Sequence, residues 1–210
     1  MDQLTFVFRR SPCRIGVETL LALGSLTTLT LLLLAHILVV PPYEGFDETA
    51  HYSYISHLAD RGAIPLIGVA RFDKTLARDL ALLPRPYSSV PPYEQIRGLT
   101  YYQFQEELPD STRRRAIHDY WSVRRTPAQF EQDPSSQMNG APGHPPLYYA
   151  LMTLPYRISA SWSPGASHLF MRLLSIALVL VSYLFYWRTV RLFEDPELRT
   201  RLLGGGLLAL

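Results

Sequence analysis

Two long uncharged stretches frame the chain, one from Thr19 to Val40 and a second from Leu173 to Trp187. The first matches the roughly 20 residues that a helix needs to cross a bilayer. It is longer than the apolar core of a signal peptide, about 7–15 residues, and no Ala-x-Ala site follows it, so an uncleaved anchor is expected rather than a cleaved leader. His36, near its far end, reads as an interfacial or helix-packing residue. A third apolar run starts at Leu202 and stops at Leu210. That is too short to span, and it predicts that the chain is the N-terminal part of a longer multi-span protein. Arginines set the orientation. Arg9, Arg10 and Arg14 precede the first run, and Arg188, Arg191, Arg199 and Arg201 follow the second, which puts both flanks in the cytoplasm. The predicted architecture is mainly α: a multi-pass α-helical protein of the cell membrane, with a large first external loop containing amphipathic helices. Its segments are a cytoplasmic 1–18, a span over 19–40, the external loop 41–167, a span over 168–188, a cytoplasmic 189–201 and the start of a third span at 202–210.

Within the external loop the clearest helical pattern runs from Asp47 to Arg61. Asp47 suits the N-cap, Gly62 the residue just past the C-cap, and Pro65 stops continuation. At about 100° per residue, Thr49, Ser53, Ser56 and Asp60 share one side, and Tyr52, Tyr54, Ile55, Leu58 and Ala59 the other. Asp47, Glu48 and His51 fall at the start of the apolar side, where the helix is expected to bury itself. Further short helices are predicted over 72–83 and 110–121. A last one begins at Pro146, a favoured first-turn residue, and is expected to kink or end at Pro155. That helix is too short to cross. It is expected in the membrane interface, with Tyr148, Tyr149, Tyr156 and Trp162 as belt residues and Arg157 within reach of lipid phosphates. Val-Pro-Pro-Tyr-Glu occurs at 40–44 and again at 90–94, but two copies in unlike surroundings are no repeat architecture.

Composition narrows the function. The chain is 48% hydrophobic with a formal net charge of +2, and no run of bases accompanies an aromatic recognition motif, which argues against nucleic acid as a partner. Cys13 is the only cysteine, so an intrachain disulfide and a cysteine metal cluster are both excluded. Seventeen prolines point to much irregular chain between the helices.

The candidate chemistry lies at the two ends of the external loop: Phe46-Asp47-Glu48-Thr49-Ala50-His51 at its start and His144-Pro145-Pro146-Leu147-Tyr148-Tyr149 at its close. A carboxylate against an apolar surface is a tunable proton acceptor. The plainer reading is that Asp47 caps a helix and Glu48 complements its dipole. Asp47 and His51, one turn apart, with His144 approaching, are also a conceivable divalent-cation set. However, there is no His-Glu-x-x-His signature, and structural or acid–base roles are preferred.

Together with Gly62 to Pro65, these motifs resemble the polyprenyl-phosphate-sugar-dependent membrane glycosyltransferases of the C-type fold. That superfamily includes the protein O-mannosyltransferases, the lipid A aminoarabinose transferases and related bacterial multi-pass proteins with an Asp-Glu-x-x-His opening. The resemblance covers roughly residues 15 to 190. It implies transfer of a sugar from a lipid-phosphate carrier to an acceptor hydroxyl on the external face. Asp47 corresponds to the general base, with Glu48 as its partner or substitute, while His51, His144 and Tyr148 shape the substrate site. Membrane lipid and the lipid-linked donor are the implied partners, and no cofactor is implied. Tyr148-Tyr149 stands where the mannosyltransferases have Gly-Lys after His-Pro-Pro-Leu, so a mannose-phosphate donor does not follow. Two other readings are a non-catalytic membrane protein whose external domain binds a partner or glycan, and an inactive truncated remnant.

Overall fold

The computed structural model describes residues 16–44, 47–80, 82–83, 101–126, 130–134, 136, 138–193, 195, 198 and 200–204. Phe46, the N-terminal arginines, Cys13, the second Val-Pro-Pro-Tyr-Glu copy and the end of the third apolar run lie outside these residues. Among the described residues the helices with both ends defined are, in order, α1 (Val17–Val39), α2 (Glu48–Arg61), α3 (Lys74–Leu80), α4 (Tyr101–Glu106), α5 (Asp110–Ser122), α6 (Leu147–Ser159) and α7 (Pro164–Val190). A 3-10 turn, Ala141–Gly143, precedes α6. Among the described residues the only β pairing is two isolated bridges, Arg71 with Met138 and Asp73 with Gln132.

α1 and α7 are long and apolar enough to cross a membrane. Only 11% and 6% of their most apolar windows is buried, which distinguishes them from core helices of a folded domain. The chain divides into two compact units, residues 1–36 with 176–210, and residues 37–175. In the first unit, Ala22 of α1, Val190 of α7 and Leu203 form a small buried cluster. Tyr183 donates a hydrogen bond to the Ala22 carbonyl at 3.0 Å and Ser25 one to Leu203 at 3.4 Å, so the polar hydroxyls of these apolar helices are spent on backbone oxygens.

The second unit is built around α2. Glu48 in its first turn and Arg61 in its last match the helix dipole. Gly62 closes the helix in the left-handed conformation (φ 65°), its N–H bonded to the Leu58 carbonyl, as expected for a glycine that a side chain would strain. The expected division into a wet and a buried side fails, because Thr49, Ser53 and Ser56 are as buried as Tyr52, Tyr54 and Ile55. The cause is that the polar side is covered too and its hydroxyls are used. Ser53 Oγ accepts from the Asp73 amide at 3.1 Å and Ser56 donates to the Ser53 carbonyl at 3.0 Å.

α6 packs lengthwise on α2. Tyr149 stacks on Tyr54 with ring centroids 3.8 Å apart, and Tyr156 meets Tyr52 edge-on at 5.6 Å. Tyr149 and Tyr156 are therefore core residues, exposed by only 2% and 6%, and not the interfacial belt expected of them. Their tyrosine partners on α2 bury these rings in stacked and edge-on contacts. The helix also continues through Pro155 to Ser159. Arg157, an exposed residue, donates to the Ala59 carbonyl near the end of α2. The two middle helices form as Lys74–Leu80 and Asp110–Ser122, the first shorter than expected.

Gly165, in the first turn of α7, is fixed by close approach. A Cβ there would lie 2.6 Å from Trp121 and 2.9 Å from Tyr120, and Tyr120 is fully buried. Gly165→Ala is expected to cost about 1–3 kcal/mol by overpacking, measured as a lowered midpoint of thermal unfolding in detergent.

Candidate functional site

The entry to α2 is strained and then clamped. Tyr43 and Asp47 are the described non-glycine residues with positive φ, at 63° and 54°. Tyr43 is held in place by stacking on His168, with ring centroids 4.3 Å apart. Its hydroxyl lies 3.5 Å from Asp79 Oδ2. Asp79 in turn pairs with Arg125 at 2.9 Å, and Arg125 also donates to the Tyr52 hydroxyl at 2.9 Å. Burial pushes the Asp79 carboxyl up to about 6 even though Arg125 lies beside it.

A second clamp, sharing His168 with the first, holds Glu48. Arg172 Nε and one terminal nitrogen each donate to a different Glu48 oxygen at 2.7 Å, and His168 Nε2 meets Glu48 Oε1 at 2.8 Å. The same guanidinium donates to the carbonyls of Val40 and Pro41, both at 2.8 Å. One side chain thus ties the exit of α1, the first residue of α2 and the third turn of α7 together. Burial alone would favour the neutral Glu48. The hydrogen bonds and charge of Arg172 and His168 outweigh it and hold the carboxyl well below the usual range. A carboxylate so thoroughly paired is a poor proton acceptor, which separates Glu48 from its neighbour.

Asp47 is the contrasting carboxylate. It occupies the N-cap position without making a side-chain capping bond, and it is exposed rather than turned into the apolar side. The plainer role, a cap, is therefore not performed. One turn on, His51 Nδ1 lies 2.7 Å from the Tyr149 hydroxyl. Burial, reinforced by His144, lowers the His51 pKa, while Asp47 pulls it up. Burial pushes the Tyr149 phenol up to about 12, so it stays protonated and suits the donor role to Nδ1, which leaves the ring proton on Nε2.

The motifs from the two ends of the loop meet here. The His51 and His144 rings are 5.3 Å apart, centroid to centroid. His144 is presented by the 3-10 turn, whose approach is pinned by Asn139: its side chain donates to the Ala50 carbonyl at 3.0 Å and accepts from the Ala141 amide at 2.9 Å. Tyr148 points elsewhere, its hydroxyl 2.9 Å from Ser175 Oγ on α7. Among the described residues no group of three or more His, Cys, Asp or Glu is arranged to hold a metal ion.

Sequence reasoning missed Arg172, His168 and the Arg125–Asp79 pair. The first two carried a signal, since they are four residues apart at the head of an apolar run and so share a helix face. Arg125 and Asp79 carried none, lying in weakly periodic segments. No family model, curated protein or solved structure compared with the chain matches it.

Proposed function

We propose that this chain acts in membrane glycosyl transfer. α1 and α7 cross the bilayer with the Arg-rich flanks in the cytoplasm, and a sugar passes from a lipid-phosphate carrier to an acceptor hydroxyl at the external surface. The acceptor oxygen attacks the anomeric carbon, the carbon–oxygen bond to phosphate breaks, and the hydroxyl proton passes to the Asp47 carboxylate. A sugar hydroxyl is a weak nucleophile, and a positioned base of this kind contributes about 10²–10⁴-fold.

The observation that carries this reading is the meeting of His51 and His144, 5.3 Å apart, one turn from an exposed Asp47 that caps nothing. Residues in sparsely populated backbone regions cluster at functional sites, and Asp47 is such a residue. Neutral His51, fixed by Tyr149, is suited to hydrogen-bond a sugar hydroxyl beside the base. The test is donor dependence. Membranes containing the protein should transfer labelled sugar from a polyprenyl-phosphate donor and should fail with the corresponding nucleotide sugar once synthesis of the lipid-linked form is blocked. Transfer that persists directly from the nucleotide sugar rejects the proposal.

A further inference from the structure

Only one face of α6 is used by the fold. Tyr149, Met152, Tyr156 and Ser159 are buried. Leu147, Leu151, Leu154 and Ile158 are exposed by 71%, 52%, 64% and 53%. At about 100° per residue these four fall within about 60° of one another, forming a continuous leucine-rich stripe roughly 16 Å long at 1.5 Å per residue. Large side chains aligned in this way are not the scattered exposed apolar residues that any surface tolerates.

The level of the stripe is fixed by a contact in the same unit. The Tyr148 hydroxyl bonds Ser175 at 2.9 Å, and Ser175 lies beyond Leu173, where the uncharged run of α7 begins. The first turn of α6 is therefore level with the start of the apolar part of α7. We infer that the Leu147–Leu151–Leu154–Ile158 face of α6 is lipid-facing, dipping into the outer leaflet as a one-sided contact in addition to the two spans. This rests on the spanning reading above and adds a consequence to it. His144 immediately precedes this helix, so the candidate site is held at headgroup depth, where a lipid-linked phosphate arrives and a water-borne acceptor can still reach it. A helix of this kind buries its apolar face about 5–10 Å into the headgroup–acyl boundary. Leu66, Ile67 and Val69, in the turn that follows α2, are further large apolar side chains exposed by 60–74%.

The test places an environment-sensitive fluorophore on single cysteines in a Cys13→Ser background, with the protein in phosphatidylcholine–phosphatidylglycerol vesicles. Leu151→Cys and Leu154→Cys report the stripe, Ser111→Cys on α5 a polar external position, and Val179→Cys the middle of α7. The expected result is blue-shifted emission at 151 and 154, quenched by shallow brominated lipid, with 111 unquenched and 179 quenched by deep brominated lipid. If 151 and 154 behave like 111 while 179 is quenched, the inference falls and the spanning reading stands. Blue-shifted emission at 151 and 154 that brominated lipid does not quench means that protein covers the stripe, and also overturns the inference. An unquenched 179 removes the spanning reading itself, and the inference with it.

Discussion

Arg172→Met is expected to lower unfolding free energy by about 3–5 kcal/mol, the usual consequence of removing one partner from a buried ion pair. Methionine keeps much of the length and apolar volume but removes every donor. Glu48, with 20% of its side chain exposed, would lose both guanidinium hydrogen bonds while keeping His168, and the Val40 and Pro41 carbonyls would lose their Arg172 hydrogen bonds. The measurement is thermal or chemical unfolding in detergent. Its pH dependence identifies the cause. Because the Glu48 pKa is lower folded than unfolded, the unfolded chain takes up the proton first. The stability contributed by the pair is therefore present above the ordinary value of 4.5 and is lost as the pH falls below it. In the variant Glu48, deprived of Arg172, instead gains from protonation. The gap between wild type and variant should be widest at neutral pH and narrow toward and below about pH 4.5. Asp79, whose raised pKa acts in the opposite sense, contributes alike to both proteins and cancels in the difference. A gap that does not change with pH would assign the loss to packing rather than to Glu48.

The long elements were legible because their physics is local. Apolar length gives α1 and α7, and Asp47, Gly62 and Pro65 give the bounds of α2. The approach of His144 to His51 was legible only through motif resemblance, since nothing in the spacing of residues 93 positions apart requires contact. The orientation of Asp47 and Glu48 was not legible. A helical wheel places both at the edge of the apolar side, but the left-handed turn at Asp47 rotates that residue out, and Arg172, more than a hundred residues later, draws Glu48 in. The tyrosines were misplaced for a related reason. Tyr149 and Tyr156 have the amphipathic chemistry of a membrane belt, and only the presence of Tyr52 and Tyr54 on the facing helix decides that they pack in the core.

Asp47→Asn is expected to reduce transfer by about 10²–10⁴-fold while leaving folding unchanged. The substitution suits this position on three grounds. Asparagine tolerates the left-handed backbone as well as aspartate does, so the strained turn at φ 54° is kept. The side chain makes no capping bond in the wild type, so none is lost. And an amide keeps the size of the carboxylate while removing its ability to take a proton. Stability should therefore stay within about 0.5 kcal/mol, as for an ordinary surface change, while turnover collapses. Arg172→Met is the opposite case, with stability lost and any loss of transfer following the fraction unfolded. A base that acts on the acceptor also leaves a kinetic mark. The fall should appear in the maximal rate at saturating lipid-linked donor, with the donor's apparent affinity little changed. Full transfer by Asp47→Asn would remove the carboxylate from the mechanism and reduce the meeting of His51 and His144 to packing between α2 and the turn before α6.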